Sequence, residues 1–360
     1  MQIKKLMILV LSLFLFFYFI FIFLYGCQYH VFDKNQVKLI KYSVPNLGYF
    51  CPIFFQGKEI LAQQGQDTPR DLTNMALYSS KDFNKYNRIA IFEGHFGQFY
   101  VSPYNSKEIF FMSTEGKEGT EQIIFKSNDG GKSWEQVYYD SANNMMIADM
   151  TFSPSSRNVI FLIKNDKKLG IEIIKSHDSG IHWSKGNYIK DITMAYHLVI
   201  DPNNSKHFLV SASNGLWESI DGGVSWKQIT TSESLAAIFV PSRNDNVYFI
   251  TRESVTERCI YELNNGKIKK ISIPNVEKLI YDVGIAYQSS TGKVYVIVIR
   301  QNENNSLYDT ALYYLKNDSF IKITNIKSKD SILPNLIFDA TNSNVIYFYS
   351  YKNIYKVVLS

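Results

Sequence analysis

The sequence is poor in the residues that would staple a small domain or hold a metal. Only 3 of its 360 residues are cysteine, at positions 27, 51 and 259, which excludes a disulfide framework. No His-x-x-x-His or Cys-x-x-Cys spacing occurs, so the sequence calls for no metal and no cofactor. A Gly-x-Ser-x-Gly nucleophile elbow and a phosphate-binding glycine loop are also missing. The net charge is only +5, falling to about +3 without Lys4 and Lys5, and the charges are scattered. That excludes nucleic acid as an expected partner. Beyond the N-terminus no long stretch carries a helical period.

Aromatic residues are abundant, at 15% of the chain with 25 Tyr and 25 Phe, and Ile and Val fall in short alternating runs that favour strands. The N-terminus is different. Leu6 to Tyr25 carries no charge and has the length of a membrane-crossing helix, and Lys4 and Lys5 before it hold that end in the cytoplasm. The chain beyond Tyr25 is therefore expected outside the cytoplasm, in the periplasm or at the cell surface. The run exceeds an ordinary secretory h-region, which points to an uncleaved signal anchor. Leu24-Tyr25-Gly26-Cys27 resembles a bacterial lipobox, which would make Cys27 the lipidated first mature residue. Both readings tether the rest of the chain to a membrane. The expected division is a signal anchor or lipoprotein signal peptide over 1–27, a tether over 28–35 and one domain over 36–360.

That domain is organised by an octapeptide, Ser-x-Asp-x-Gly-x-x-Trp, which occurs three times. The copies are Ser127, Asp129, Gly131 and Trp134; Ser176, Asp178, Gly180 and Trp183; and Ser219, Asp221, Gly223 and Trp226. Their aspartates stand 49 and then 43 residues apart, within the span of a four-stranded propeller blade. Around each copy the same grammar recurs: an apolar strand, a Pro/Asn/Ser turn, a second strand, a loop, and a third strand running into the octapeptide. Tyr261 to Lys270 and Tyr313 to Lys322 keep the strands but carry Asn-Gly or Asn-Asp turns, and Ser80-Lys81-Asp82 is a frayed copy with Tyr86 near the Trp position. Blades are expected to start near Gly48, Gly97, Ile147, Tyr196, Leu235, Tyr281 and Asn335. The last has only three strands, and Val37 to Ser43 is the orphan that would complete it and close the ring. The fold expected is all-β: a seven-bladed propeller closed by an N-terminal strand, preceded by one transmembrane or signal helix. Six blades with a stray segment is the alternative. Cys51 and Cys259 fall in different blades, too far apart to bridge.

The octapeptide resembles the Asp-box, or BNR repeat, of sialidases, sortilin-type receptors and related β-propellers, and it matches at the defining positions in all three copies. The resemblance places each box between the third and fourth strands, away from the central opening. There it is a structural turn, whose Trp is expected to pack on its own blade or the next. Chemistry would lie on the opposite face, where the loops from second to third strand and from each blade to the next carry Arg70, His95, Tyr196, Arg252, Arg258 and Arg300 as ligand-binding candidates. A sialidase site uses three arginines, a Tyr nucleophile with a Glu partner, and an Asp acid/base. Asp67 and Asp71 are the candidates for the last role, but Phe50-Cys51-Pro52 puts Phe where the first carboxylate-binding arginine would stand. Met145-Met146 and Ile332-Leu333 put apolar residues on loops, as a protein-binding rim would or as side chains folded back onto the domain. The first expectation is a non-catalytic, membrane-tethered scaffold that binds a protein or glycan. A sialidase-like hydrolase with an altered site, and an immunity or assembly-factor lipoprotein, are the alternatives.

Overall fold

The computed structural model of the protein describes residues 27–30, 37–44, 49–56, 59–65, 74–93, 96–115, 121–141, 145–243, 246–255, 257–273, 280–301, 307–316, 319–350 and 352–359. The apolar run at 6–25 lies outside them.

The strands assemble into seven antiparallel sheets arranged as the blades of a β-propeller. Blade 1 is Tyr49–Gln56, Glu59–Gly65, Asn74–Ser80 and Tyr86–Glu93; blade 2 is Phe96–Ser102, Asn105–Glu115, Glu121–Ser127 and Glu135–Asp140. Blade 3 is Met145–Phe152, Ile160–Asp166, Gly170–Ser176 and Tyr188–Ile189; blade 4 is Ala195–Asp201, Asn204–Ala212, Gly215–Ser219 and Lys227–Thr230. Blade 5 is Glu233–Val240, Asn246–Arg252, Arg258–Asn264 and Lys267–Ile271; blade 6 is Ile280–Gln288, Lys293–Gln301, Tyr308–Lys316 and Ser319–Ser328. Blade 7 takes Ile337–Phe338, Val345–Tyr349 and Asn353–Val358 from the end of the chain and Lys38–Ser43 from its beginning, with Cys27–His30 added outside as a fifth strand. The seven-blade count and the closing strand expected from the repeat are both found, and the six-blade alternative is excluded.

Second strands such as KVYVIVIRQ and VIYFY are almost wholly buried, because each blade is covered by a neighbour on both faces. Outer strands such as KIKKI are exposed except at one position. The buried apolar residues form no common core. They fall into seven clusters among the described residues, one at each blade–blade joint. A blade therefore buries both faces only if it has two neighbours, and the ring must close.

Closure is made by backbone pairing and by aromatics. Lys38 to Ser43 pairs in register with Val358 to Asn353. At the joint between blades 7 and 1, Phe55 stacks on Tyr347 at 3.7 Å, and Phe83 stacks on Tyr42 of the closing strand at 4.3 Å. Phe83 belongs to the frayed turn after Ser80, where it is buried at a backbone φ of 65°. Its N–H donates to Ser80 Oγ at 3.0 Å, while the N–H groups of Asn84 and Lys85 donate to Asp82 Oδ1. The turn thus survives one residue shorter, and it aims a ring into the closing joint.

The three full octapeptides form one common structure between third and fourth strands. In each, the Ser Oγ donates to the Asp and accepts the N–H of the glycine four residues on, at 2.8 Å in all three copies. The Asp accepts two further backbone N–H groups. Gly131, Gly180 and Gly223 sit at φ of 91°, 86° and 92°, which a side chain would strain. A Cβ on Gly131 would also meet Leu77 and Ile89 of blade 1. The tryptophans pack on their own blade, as expected, and also on the preceding one: Trp134 lies edge-on to Phe99 of blade 2 at 5.9 Å. Trp134 lies edge-on to Phe92 of blade 1, and Trp183 edge-on to Tyr138 of blade 2, so each reaches back to the preceding blade. At Gly131 and Gly180 the glycine and the Trp share the side of the loop that faces the preceding blade, where a Cβ would meet Leu77 and Ile89, or Phe110; at Gly223 it would meet Phe208 of its own blade.

Two outcomes are expected. Hydrogen bonds from Ser225, Ser219 and the backbone hold the Asp221 carboxyl well below the usual carboxylate range. A depressed pKa contributes stability above the unfolded-state value near 4, and that stability is lost as pH falls through the folded value. Asp221→Ala should lower Tm at pH 7, with the gap from wild type shrinking as pH drops below about 4; equal melting curves at pH 7 would remove the stabilising role. Phe83→Ala should cost about 3–5 kcal/mol, read as a lower urea midpoint, because it empties the closing joint.

Candidate functional site

The turns between first and second strands are tied to the octapeptide loops, as when Gly222 N–H donates to Lys206 O and Gly130 N–H to Lys107 O. These loops define one face of the ring. On the other face, the starts of the inner strands of blades 3, 4 and 5 surround a depression of about 470 Å³ lined by Met146, Ala148, Asn165, Met194, Ala195, Tyr196, His197, Glu233, Leu235 and Arg252.

A repeated irregularity builds it. The inner strands of blades 3, 4 and 5 each carry a bulge near their start, and the extra residues are Ala148, Tyr196 and Leu235. All three line the depression. A bulge re-aims a side chain and ends regular pairing, which is how a strand otherwise committed to packing presents residues at a rim. Neighbouring blades are pinned at the same level by side-chain amides. Gln63 accepts from Phe99 N–H, Gln122 accepts from Ile147 N–H, and Asn165 both accepts from Ala195 N–H and donates to Ala195 O. These bonds satisfy backbone groups where one blade's inner strand leaves the next without a ladder partner.

One polar chain lies in the floor and a second reaches it through His197. Tyr196 Oη donates to Glu233 Oε1 at 2.7 Å, and Arg252 Nη1 lies 3.0 Å from Glu233 Oε2. Burial, with the bond to Glu233, pushes the Tyr196 phenol up to about 12, so at neutral pH it is a hydrogen-bond donor and not a phenolate. Alongside, Tyr100 Oη donates to Asp149 Oδ1 at 3.4 Å, and His197 Nδ1 lies 3.2 Å from Asp149 Oδ2. Desolvation among the strands disfavours the imidazolium, but the bond and charge of Asp149 outweigh it and raise the His197 pKa above its ordinary value. Both carboxylates are thus engaged internally, while Met146 and Met194 stand at the rim with half or more of their surface exposed. Met194 holds a φ of 42°.

The structure brings Tyr196 and Arg252 together, as their shared face implied, with Met146 at the rim. Arg258 stands directly opposite Arg252 in the register, but its Nη1 donates to the carbonyls of Ser254, Val255 and Glu257 and so clamps the loop of blade 5. Arg300 is buried at 7% exposure in blade 6, opposite Ile280 and Asp309, and does not line the depression. Arg70, His95, Asp67 and Asp71 lie outside the described residues. Phe50 is placed on the inner strand of blade 1, paired with Gln64. Cys51 and Cys259 are free thiols in blades 1 and 5, and burial pushes the Cys51 thiol up to about 11. No group of three or more potential metal ligands occurs among the described residues, and no helix there is long and apolar enough to cross a membrane.

No family model matches the sequence, and no curated protein matches it. Solved structures match it in shape. The structure of YCF48 bound to D1 peptide superposes with a TM-score of 0.59 at 15% identity, over 92% of this chain and 100% of that one. An oligogalacturonate lyase in complex with manganese gives 0.59 at 12% identity, over 93% and 97%. An ancestral GH74 enzyme gives 0.54 at 13% identity, over 90% of this chain but only 45% of its own. At these identities the likeness is one of fold.

Glu233, which lines the depression, and Asp149, which holds the lining residue His197, were not singled out by sequence. The available signal was the repeat itself: Asp149, His197 and Asp282 occupy the same post-bulge position in blades 3, 4 and 6. Asp149 and Asp282 even make the same bond, each accepting the N–H of the next residue.

A raised folded-state pKa at His197 contributes stability below the ordinary value near 6.5 and loses it as pH rises through the folded value. Asp149→Asn should lower the His197 midpoint in an NMR titration of its imidazole; an unchanged midpoint would show that Asp149 does not hold the charge.

Proposed function

We propose that the protein is an exported, membrane-tethered propeller whose depression over blades 3 to 5 binds a segment of another protein without catalysing a reaction on it. The observation that supports this most directly is the state of the floor. Glu233 is held by Tyr196 and Arg252, Asp149 by Tyr100 and His197, and the rim around them is apolar. Such a floor offers Arg252 and His197 as donors and Met146, Met194 and Leu235 as apolar contact, a combination suited to a peptide. Methionine adapts its shape to a partner, which suits a rim of this kind. That a propeller of the same fold is known bound to a peptide supports the same reading. The three octapeptides are read as Asp-boxes with a structural role, and the charge-free run at 6–25 as the tether, ending at a lipidated Cys27 or continuing as an uncleaved anchor.

One observation favours a second reading. Tyr196 and Glu233 form the Tyr–Glu pair that a sialidase-like hydrolase would need. The raised phenol pKa and the engagement of Glu233 by Arg252 oppose it.

Both readings can be separated with the full chain. On an array of random unmodified peptides, the wild type is expected to retain a defined subset, with Met194→Asp and Arg252→Ala each weakening retention tenfold or more and Asp221→Ala leaving it intact. Turnover of a fluorogenic glycoside panel that is lost in Glu233→Gln would overturn the binding-only reading. Array signals indifferent to Met194→Asp and Arg252→Ala would remove the depression as the site.

A further inference from the structure

We propose that Met146 and Met194 are paired oxidation sites, and that converting their thioethers to sulfoxides switches off binding at the depression. This rests on the peptide-binding reading above and adds a regulation to it.

The two methionines hold one repeated place. Met146-Ile147-Ala148-Asp149 in blade 3 and Met194-Ala195-Tyr196-His197 in blade 4 each put the bulge residue third, and the fourth residues, Asp149 and His197, bond to each other. Both methionines line the depression. Exposure separates them from the other methionines whose side chains the structure describes: Met146 and Met194 are 50% and 56% exposed, against 4%, 9% and 3% for Met75, Met112 and Met150. An oxidant arriving from solvent therefore meets thioethers at the depression first. The two described thiols do not compete. Burial raises the pKa of both Cys51 and Cys259, which keeps them from the reactive thiolate form.

The step moves two electrons. A peroxide delivers one oxygen atom: the sulfur lone pair forms the S–O bond, the O–O bond breaks, and with hydrogen peroxide the other oxygen leaves as water. Reversal takes two electrons and two protons from a dithiol, which becomes a disulfide, and releases the sulfoxide oxygen as water. The change turns a flexible apolar side chain into a polar one.

Neither methionine can withdraw from the rim. Met146 lies in the strand ladder opposite Asn165. Met194 O accepts the Ser213 N–H at 3.1 Å, and beside it Thr193 N–H donates to Asn214 Oδ1 while Thr193 O accepts from Ser213 Oγ. These bonds hold Met194 at a φ of 42°, which few non-glycine residues adopt. A new S–O dipole at either position thus stays where the apolar groups of a partner must pack, and binding would have to strip its water without replacing the hydrogen bonds.

The test treats the full chain with hydrogen peroxide, clears the oxidant, maps the methionines by mass spectrometry and applies the protein to the same peptide array. Each protein is compared with its own untreated sample. Sulfoxide is expected at Met146 and Met194 at least tenfold faster than at Met75, Met112 and Met150, with retention falling tenfold or more. The two methionine sulfoxide reductases, one for each sulfoxide epimer, are expected to restore it with a dithiol present. In the Met146→Leu/Met194→Leu variant, peroxide is expected to remove less than half of whatever retention the variant has. Rim sulfoxides without loss of retention, a loss that the reductases do not reverse, or an equal proportional loss in the double variant would overturn the switch and leave the peptide-binding reading standing. An untreated wild type that retains no peptide would overturn both.

Discussion

The structure depends on one non-local pairing, that of Lys38–Ser43 with Asn353–Val358. Each of the seven joints holds its own apolar cluster, so the stability of any blade is shared with two neighbours. An open array would expose the faces and edges of its first and last blades. The pairing removes that exposure, and it must bring together segments from opposite ends of the chain. Loop-closure entropy grows only slowly with length, so the separation is tolerable once the intervening blades have packed. The stacked rings at this joint, Tyr42 on Phe83 and Phe55 on Tyr347, add directional contact where the chain itself is discontinuous.

The two faces of the ring solve different problems with the same strands. On the octapeptide face, short loops saturate their own backbone N–H groups with Ser and Asp oxygens and lock the hairpin between third and fourth strands. On the depression face, the bulges at Ala148, Tyr196 and Leu235 interrupt the ladders, and the side-chain amides of Gln63, Gln122 and Asn165 take over as links between blades. Rigidity is thus supplied locally on one face and across the joints on the other. Only the second arrangement leaves side chains free to line a shared depression, because its floor is made from three blades.

The fold was legible in the sequence because its signals are local and repeated. Ser, Asp, Gly and Trp in an eight-residue window mark a turn, and their recurrence marks the blade. The orphan strand at Val37 to Ser43 was legible by subtraction from a three-stranded last blade. The site was legible only as a face. Tyr196 and Arg252 fell on loops that border the depression, but Glu233, which joins them, is 37 residues from Tyr196, and nothing in the chain between them announces the contact. The direction of Trp134 and Trp183 was hidden for a similar reason: which neighbour a ring reaches depends on the side of the loop that the glycine leaves open. At the frayed copy, Tyr86 was the expected stand-in for Trp. Tyr86 does pack against the closing joint, and a second ring enters beside it, Phe83, at a positive φ that no propensity would assign to phenylalanine.

Blade 7 carries two loads that the other blades do not. It closes the ring, and it receives the chain through the added strand Cys27–His30. The two are mechanically linked, because among the described strands the added one pairs with the closing strand alone. The dependence runs one way: the outer strand needs the closing strand as its partner, while the closing strand keeps its ladder to Asn353–Val358 without it. Ring closure therefore does not rest on the segment that leads into it.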